Sequence, residues 1–301
     1  MPRHTRRHGA LVALIVLILV WGYSWVVMKQ VLRYAGPFEF AALRYLGGAV
    51  VLLLLLVIRR ESLRPTPIRL TLAVGLCQTT GFQALTQWAL VSGGAGSVSL
   101  LAYTMPFWVV LLAWWLLKEK PTPRHWLGLA LAAGGLVCVM EPWHGLGSLR
   151  SALLAVIGGV AWAFGTVLSK RMFQLYAPSP LSFTAWQMLF GALALGVIAL
   201  VVPSPPIVWT PAFVYGLLYS MLLASSLAWL LWLFVVRSLP TTVASLSSLA
   251  VPVTAVLLSW AILHERPDGM EAAGIVLIVL GLAAVSGIGA RRRPYPHETP
   301  A

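Results

Sequence analysis

Ser99-Leu-Leu-Ala-Tyr-Thr-Met-Pro106 is followed thirteen residues later by Glu119-Lys120-Pro121, and Ser245-Leu-Ser-Ser-Leu-Ala-Val-Pro252 is followed thirteen residues later by Glu265-Arg266-Pro267. The same proline and the same closing acid thus recur 146 positions apart, each proline near the middle of a long apolar run. Proline lacks an N–H and clashes with the carbonyl four residues back, so each is expected to act as a hinge in its helix. The freed carbonyls belong to Ala102 and Ser248. In hydrocarbon such a carbonyl needs water, a hydroxyl or a bound ammonium to re-satisfy it. The plainer reading is a kink that only shapes a bundle.

Composition places these runs in a membrane. The 301 residues are 59% hydrophobic and 10% charged, too few charges for a water-facing surface. Ten apolar stretches are long enough to cross roughly 30 Å of hydrocarbon. They cover 10–31, 37–58, 69–91, 95–117, 124–141, 151–172, 180–202, 211–236, 240–263 and 269–289. Little remains for a soluble domain. The fold class is therefore an all-α integral membrane protein of ten transmembrane helices.

The net charge of +13 would suit nucleic acid, but its distribution assigns it to topology instead. With the N-terminus inside, the inner segments hold 16 Lys and Arg and the outer ones 4. This bias predicts both termini in the cytoplasm, some attraction to anionic lipid, and no nucleic-acid partner. The basic, then apolar, start resembles a signal peptide. Its run of about 20 residues, with Trp21 and Trp25 inside it, fits a first span better. Cys77 and Cys138 fall within spans as small apolar side chains. No disulfide, metal site or cofactor is expected.

The prolines belong to a wider duplication. Trp21-Gly-Tyr-Ser-Trp-Val-Val-Met-Lys29 matches Trp162-Ala-Phe-Gly-Thr-Val-Leu-Ser-Lys170. Pro37-Phe-Glu-Phe-Ala-Ala-Leu-Arg44 matches Pro180-Leu-Ser-Phe-Thr-Ala-Trp-Gln187, and Gly128 matches Gly274. The halves, 1–145 and 146–301, each hold five spans. An odd number turns the second half upside down, giving two inverted five-helix repeats. Lys29 and Lys170 then serve as anchors at opposite interfaces.

These motifs resemble the EamA family of the drug/metabolite transporter superfamily. The resemblance covers nearly the whole chain and rests on the Trp-Gly-x-x-Trp start, the Pro…Arg opening of the second span and the two proline-centred spans, each followed by Glu. It implies secondary efflux of a small organic solute, since members export amino acids, other metabolites and toxic cations. Gln187 departs from the pattern set by Arg44, which puts a symmetric charge role for that position in doubt.

Substrate-binding candidates follow from polar and aromatic residues at depth. Trp21 and Trp162 lie near mid-span, where an indole N–H needs a partner. Thr79, Gln83 and Thr86 share one helical face, with Thr80 and Gln87 beside it. Amides facing lipid are expensive, so this face is expected to point inward, toward a cavity or toward hydrogen bonds between helices. Tyr103, Tyr219, Ser226, Trp229 and Ser248 complete the candidate set. Glu39 and Arg44 read as a structural or gating pair toward one end of the second span, although five-residue spacing is poor for direct pairing.

Absences shape the functional expectation. With no Lys or Arg expected at mid-depth, phosphorylated substrates are disfavoured, since they need fixed cationic donors. A neutral polar and aromatic cavity suits a zwitterion or neutral amphiphile. Apart from Glu39, no carboxylate or histidine marks a coupling ion. The leading expectation is an exporter of small metabolites working by alternating access, with amino acids of aromatic or large apolar side chain preferred. Efflux of xenobiotic cations is second, and a buried carboxylate would favour it. An intramembrane enzyme lacks catalytic groups at matching depth, and a scaffold has no need of broken helices. The small residues Gly128, Ala132, Gly135, Gly274 and Gly281 allow close helix contact, within a monomer or in a homodimer. The Arg-rich basic set, 17 Arg to 4 Lys, hints at a bacterial plasma membrane.

Overall fold

Pro37, Pro180 and Pro211 each stand in the first turn of a helix, where the missing N–H has no intrahelical partner to lose. They open α2 (Pro37–Ile58), α9 (Pro180–Val201) and α10 (Pro211–Leu218). The computed structural model describes residues 3–118, 120–140, 146–238 and 241–285. Before and between these helices come α1 (Arg3–Val31), α3 (Ile68–Val74), α4 (Phe82–Ser92), α5 (Ala95–Ala102), α6 (Met105–Leu117), α7 (Pro123–Met140) and α8 (Leu146–Tyr176). After them come α11 (Ala228–Ser238), α12 (Thr241–Leu263) and α13 (Gly269–Val285).

Among the described residues every regular element is helical. Among the described residues six stretches are long and apolar enough to cross a membrane: Gly9–Val31, Pro37–Ile58, Ala95–Leu116, Leu149–Tyr176, Pro180–Val201 and Pro211–Trp232. Ala250–Leu263 and Gly269–Ala284 are shorter apolar helices. The outward faces fit that setting, with Leu54, Val57, Val197 and Leu200 all exposed. Such a surface is stable against hydrocarbon and costly against water.

Two π-helical segments interrupt the α-helical pattern. Gly75–Gly81 joins α3 to α4, and Tyr219–Leu227 joins α10 to α11. A π segment widens the helix and displaces backbone groups, and such bulges gather at functional sites. Neither is visible in the hydrophobic pattern. The two stand in matching places and make matching bonds. Thr80 Oγ1 donates to Gly191 O at 2.9 Å and lies 3.4 Å from Gly75 O. Ser226 Oγ, 146 positions on, donates to Met221 O at 2.8 Å and lies 3.5 Å from Gly48 O. Thr79 donates to Gln187 Oε1 at 2.9 Å, while Ser225, also 146 on, accepts from Arg44 Nε at 2.8 Å. Each pair is reproduced when the partners exchange halves.

Small residues bring the helices together. α2 packs along α9, and α7 along α13. A Cβ on Gly135 would lie 2.8 Å from Gly274 O, and one on Gly281 would lie 2.8 Å from Gly128 O. These glycines therefore serve contact inside the bundle, since no larger side chain fits there.

The two prolines behave differently. The helix around the first breaks at Tyr103–Thr104, between α5 and α6, and Pro106 sits in the first turn of α6. Thr104 repairs the break by donating its hydroxyl to Leu101 O at 2.6 Å and accepting from Trp108 Nε1 at 3.2 Å. Pro252 lies inside α12, which runs from Thr241 to Leu263 without interruption. The expectation of two matched breaks is corrected to one, because a helix held by neighbours accommodates a proline as a local distortion. The freed carbonyl of Ala102 does not open to a cavity either. A Cβ on Gly159 of α8 would lie 2.8 Å from it, so the carbonyl is packed against that helix.

Candidate functional site

The π segments meet α1, α2, the break after α5 and α8 around a narrow cavity of about 50 Å³. α1 contributes Trp21, Ser24, Trp25 and Met28, one helical face. α2 contributes Arg44 and Tyr45, and Tyr103 comes from the break after α5. Gln78 and Thr79 come from the first π segment, followed by Phe82 and Gln83 of α4. The second half of the chain supplies Trp162, Ala224 and Trp229.

Rings form most of the wall. Trp162 lies with its ring centroid 4.4 Å from Phe82 and 5.9 Å from Tyr103, and Tyr103 lies 6.4 Å from Trp25. These edge-on and tilted pairs brace one another. Trp21 stands edge-on to Trp229 at 6.0 Å. Its indole N–H donates to Ala224 O at 3.0 Å, a carbonyl of the second π segment. A tryptophan N–H in the membrane needs an acceptor, and the widened helix offers one.

Polar groups converge on the same space. Gln83 Nε2 donates to Tyr45 Oη at 2.6 Å, while its buried Oε1 has no protein partner. Arg44 is 4% exposed. Its guanidinium lies 5.1 Å from the Tyr45 ring centroid, donates Nε–H to Ser225 and directs Nη1 at Met28 Sδ at 2.8 Å. No carboxylate pairs with it among the described residues. Glu39 is elsewhere, where it accepts from Ser204.

Of the residues expected from sequence, Trp21, Thr79, Gln83, Tyr103, Trp162 and Trp229 line this cavity together. Others do not. Thr86 donates to its own helix at Phe82 O, and Ser226 to Met221 O. Tyr219 turns to the far side of α1, where its hydroxyl donates to Val20 O at 2.7 Å. Hydroxyls within reach of a backbone carbonyl settle there, so polarity alone does not mark a cavity residue. The side chain of Ser248 lies outside the described residues. Glu39 and Arg44 do not pair directly, in line with their five-residue spacing: Glu39 accepts from Ser204, and Arg44 lines the cavity. Ser24, Trp25, Met28, Tyr45, Gln78 and Phe82 were not anticipated. The spacing of Ser24, Trp25 and Met28 from Trp21 was the available signal.

One rim of the bundle is clamped at the turn between α4 and α5. Lys29 Nζ donates to Leu90 O and Gly93 O at 2.6 and 2.8 Å, capping the end of α4 rather than reaching for headgroups. Glu265 accepts from Ala95 N at 2.7 Å, with Gly96 N at 3.5 Å, and from the Ser259 hydroxyl. It thus binds backbone amides at the start of α5 rather than a neighbouring cation. Its repeat equivalent, Glu119, lies outside the described residues.

A multi-pass helical bundle built around a ring-lined cavity with a few polar groups fits the class of a membrane carrier. The chain belongs to the EamA-like transporter family, whose model matches it twice, over residues 8–140 and 149–287. It is 27% identical to the uncharacterized transporter YoaV of Bacillus subtilis, with 90% of this chain and 94% of that one covered. It is 28% identical to a probable amino-acid metabolite efflux pump of Salmonella typhimurium, over 92% of this chain and 94% of that one. Protein PecM of Dickeya dadantii is 27% identical, with 93% and 94% covered. A solved crystal structure superposes with a TM-score of 0.65 at 22% identity, covering 92% of this chain and 96% of that one, a likeness of fold.

Proposed function

We propose that this chain exports small organic metabolites, foremost amino acids with aromatic or large apolar side chains, by alternating access around the central cavity. The observation that carries the reading is the cavity itself, a cage of rings with a few fixed polar groups, framed by two matching π segments. Rings hold an apolar side chain, while Arg44 and Gln83 suit a charged, hydrogen-bonding head. The Salmonella relative named as a probable amino-acid metabolite efflux pump supports the same substrate class.

The architecture we propose is ten spans in two inverted five-helix repeats, 1–145 and 146–301, with both termini in the cytoplasm of a bacterial plasma membrane. The exchanged contacts of Thr80 and Ser226, of Thr79 and Ser225, and of the α7–α13 glycines support it. So does the double match of the family model. Alternating access then consists of one half rocking against the other. Release of the clamp that Lys29 and Glu265 make at the α4–α5 turn would accompany opening of that rim. The partners are the substrate and the bilayer, with no nucleic acid.

Efflux of xenobiotic cations is the competing function. It calls for a carboxylate in the cavity, whereas the charged residue lining it is Arg44. A thermal-shift panel on the detergent-purified protein separates the two, because a ligand that binds only the folded state raises its apparent stability. Large apolar amino acids are expected to raise the Tm progressively with concentration, by about 2–3 kcal/mol of stabilisation at a hundred times Kd. Stabilisation by lipophilic cations alone would reverse the assignment.

A further inference from the structure

Arg44, whose guanidinium keeps its charge, is buried within an apolar span at the wall of the cavity. An arginine there is costly unless its charge is answered. Its five N–H donors are only partly used: Nε–H goes to Ser225, and Nη1 meets a methionine sulfur, a weak acceptor. No other protein group among the described residues takes the remaining donors. On the other side of Tyr45, Gln83 Oε1 is a buried acceptor without a donor. One cation lacking an anion and one acceptor lacking a donor thus share a cavity, joined through a single tyrosine.

We propose that Arg44 is the fixed counter-charge for a substrate carboxylate, and that Gln83 Oε1 receives the ammonium of the same molecule. This rests on the cavity being the substrate site and specifies its head group as a free α-amino acid. Neutral α2 and α9 partners would bind a substrate indifferently in either orientation. Gln187, where the repeat equivalent of Arg44 would fall, is instead occupied by Thr79. The departure from repeat symmetry therefore makes one pole of the cavity anion-seeking, and an amino acid enters with its carboxylate toward α2. A planar guanidinium binds a carboxylate through paired N–H groups, which a lysine ammonium reproduces only as a point charge.

The test is titration calorimetry of the detergent-purified full chain with three probes: L-phenylalanine, 2-phenylethylamine, which lacks the carboxylate, and 3-phenylpropionate, which lacks the ammonium. In the native chain L-phenylalanine is expected to bind about 10- to 100-fold more tightly than 2-phenylethylamine, the size of a charge-assisted hydrogen bond in a desolvated site. That comparison needs no variant and survives any misfolding of one. Arg44→Gln is expected to remove the preference, and Arg44→Lys to restore part of it. Gln83→Leu is expected to narrow the gap between L-phenylalanine and 3-phenylpropionate. Equal binding of L-phenylalanine by the native chain and Arg44→Gln would overturn the role of Arg44 while leaving amino-acid export standing. Tight, Arg44-dependent binding of 3-phenylpropionate with none of L-phenylalanine would keep the carboxylate site and overturn the amino-acid reading. Binding of 2-phenylethylamine alone, or of no probe, would overturn the head-group assignment.

Discussion

Replacing Trp162 by alanine is expected to lower export about tenfold or more per folded molecule. Its ring touches Phe82 and Tyr103, and through Tyr103 it steadies Trp25, so one truncation loosens the whole ring-lined wall. A ring packed against other rings is the kind of anchor that dominates recognition energy. Part of the effect is structural, since removing a buried tryptophan costs about 3–5 kcal/mol and this one is half-buried. Trp162→Phe keeps a ring and is expected to keep most of the flux. Trp115, 65% exposed on the outward surface, is the control, and its alanine variant is expected to export normally. Initial rates normalised to monodisperse protein read the difference. Equal losses at Trp162 and Trp115 would mean that the cavity wall has no special role.

Gly75→Leu is expected to cost about 3 kcal/mol or more and to lower the Tm sharply. A Cβ at Gly75 would lie 2.5 Å from Gln187 O and 3.1 Å from Gly191 N, both backbone atoms of α9 that cannot turn aside. Overpacking of this kind forces helices apart. Here it would also displace the first π segment, which begins at Gly75 and carries Gln78 and Thr79 into the cavity. Gly196, on the same partner helix α9, meets nothing within 4 Å. Gly196→Leu is expected to be neutral or slightly stabilising, because a half-buried helical glycine with open space beside it is replaced by a good helix former. A thermal melt of the two variants side by side is sufficient. Similar Tm values for both would show that the contact between the first π segment and α9 tolerates separation.

How far these features could be seen in the chain depends on their physical origin. Span ends were legible because prolines and charges punctuate apolar runs; Pro37, Pro180 and Pro211 each mark a helix start within a residue. The Trp21 and Trp162 pair was legible through the duplication, and both reach the cavity. The π segments were not, because one residue of extra winding leaves no periodic trace over seven or nine residues. The direction of Arg44 was hidden for a related reason. Position along a helix gives depth but not direction, and only the fold shows that its side chain leaves Glu39 behind and turns to Ser225. Pro252 shows the same limit from the other side, since local chemistry permits a break that the surrounding helices suppress.

The most direct measurement of the central claim is substrate flux in proteoliposomes containing only this chain, preloaded with unlabelled L-phenylalanine and presented with the labelled form. Saturable exchange is expected, lowered about tenfold or more by Trp162→Ala and competed by other large apolar amino acids. Lipophilic cations should compete poorly. Exchange no faster than in protein-free vesicles, for L-phenylalanine and for every other large apolar amino acid, would contradict the account.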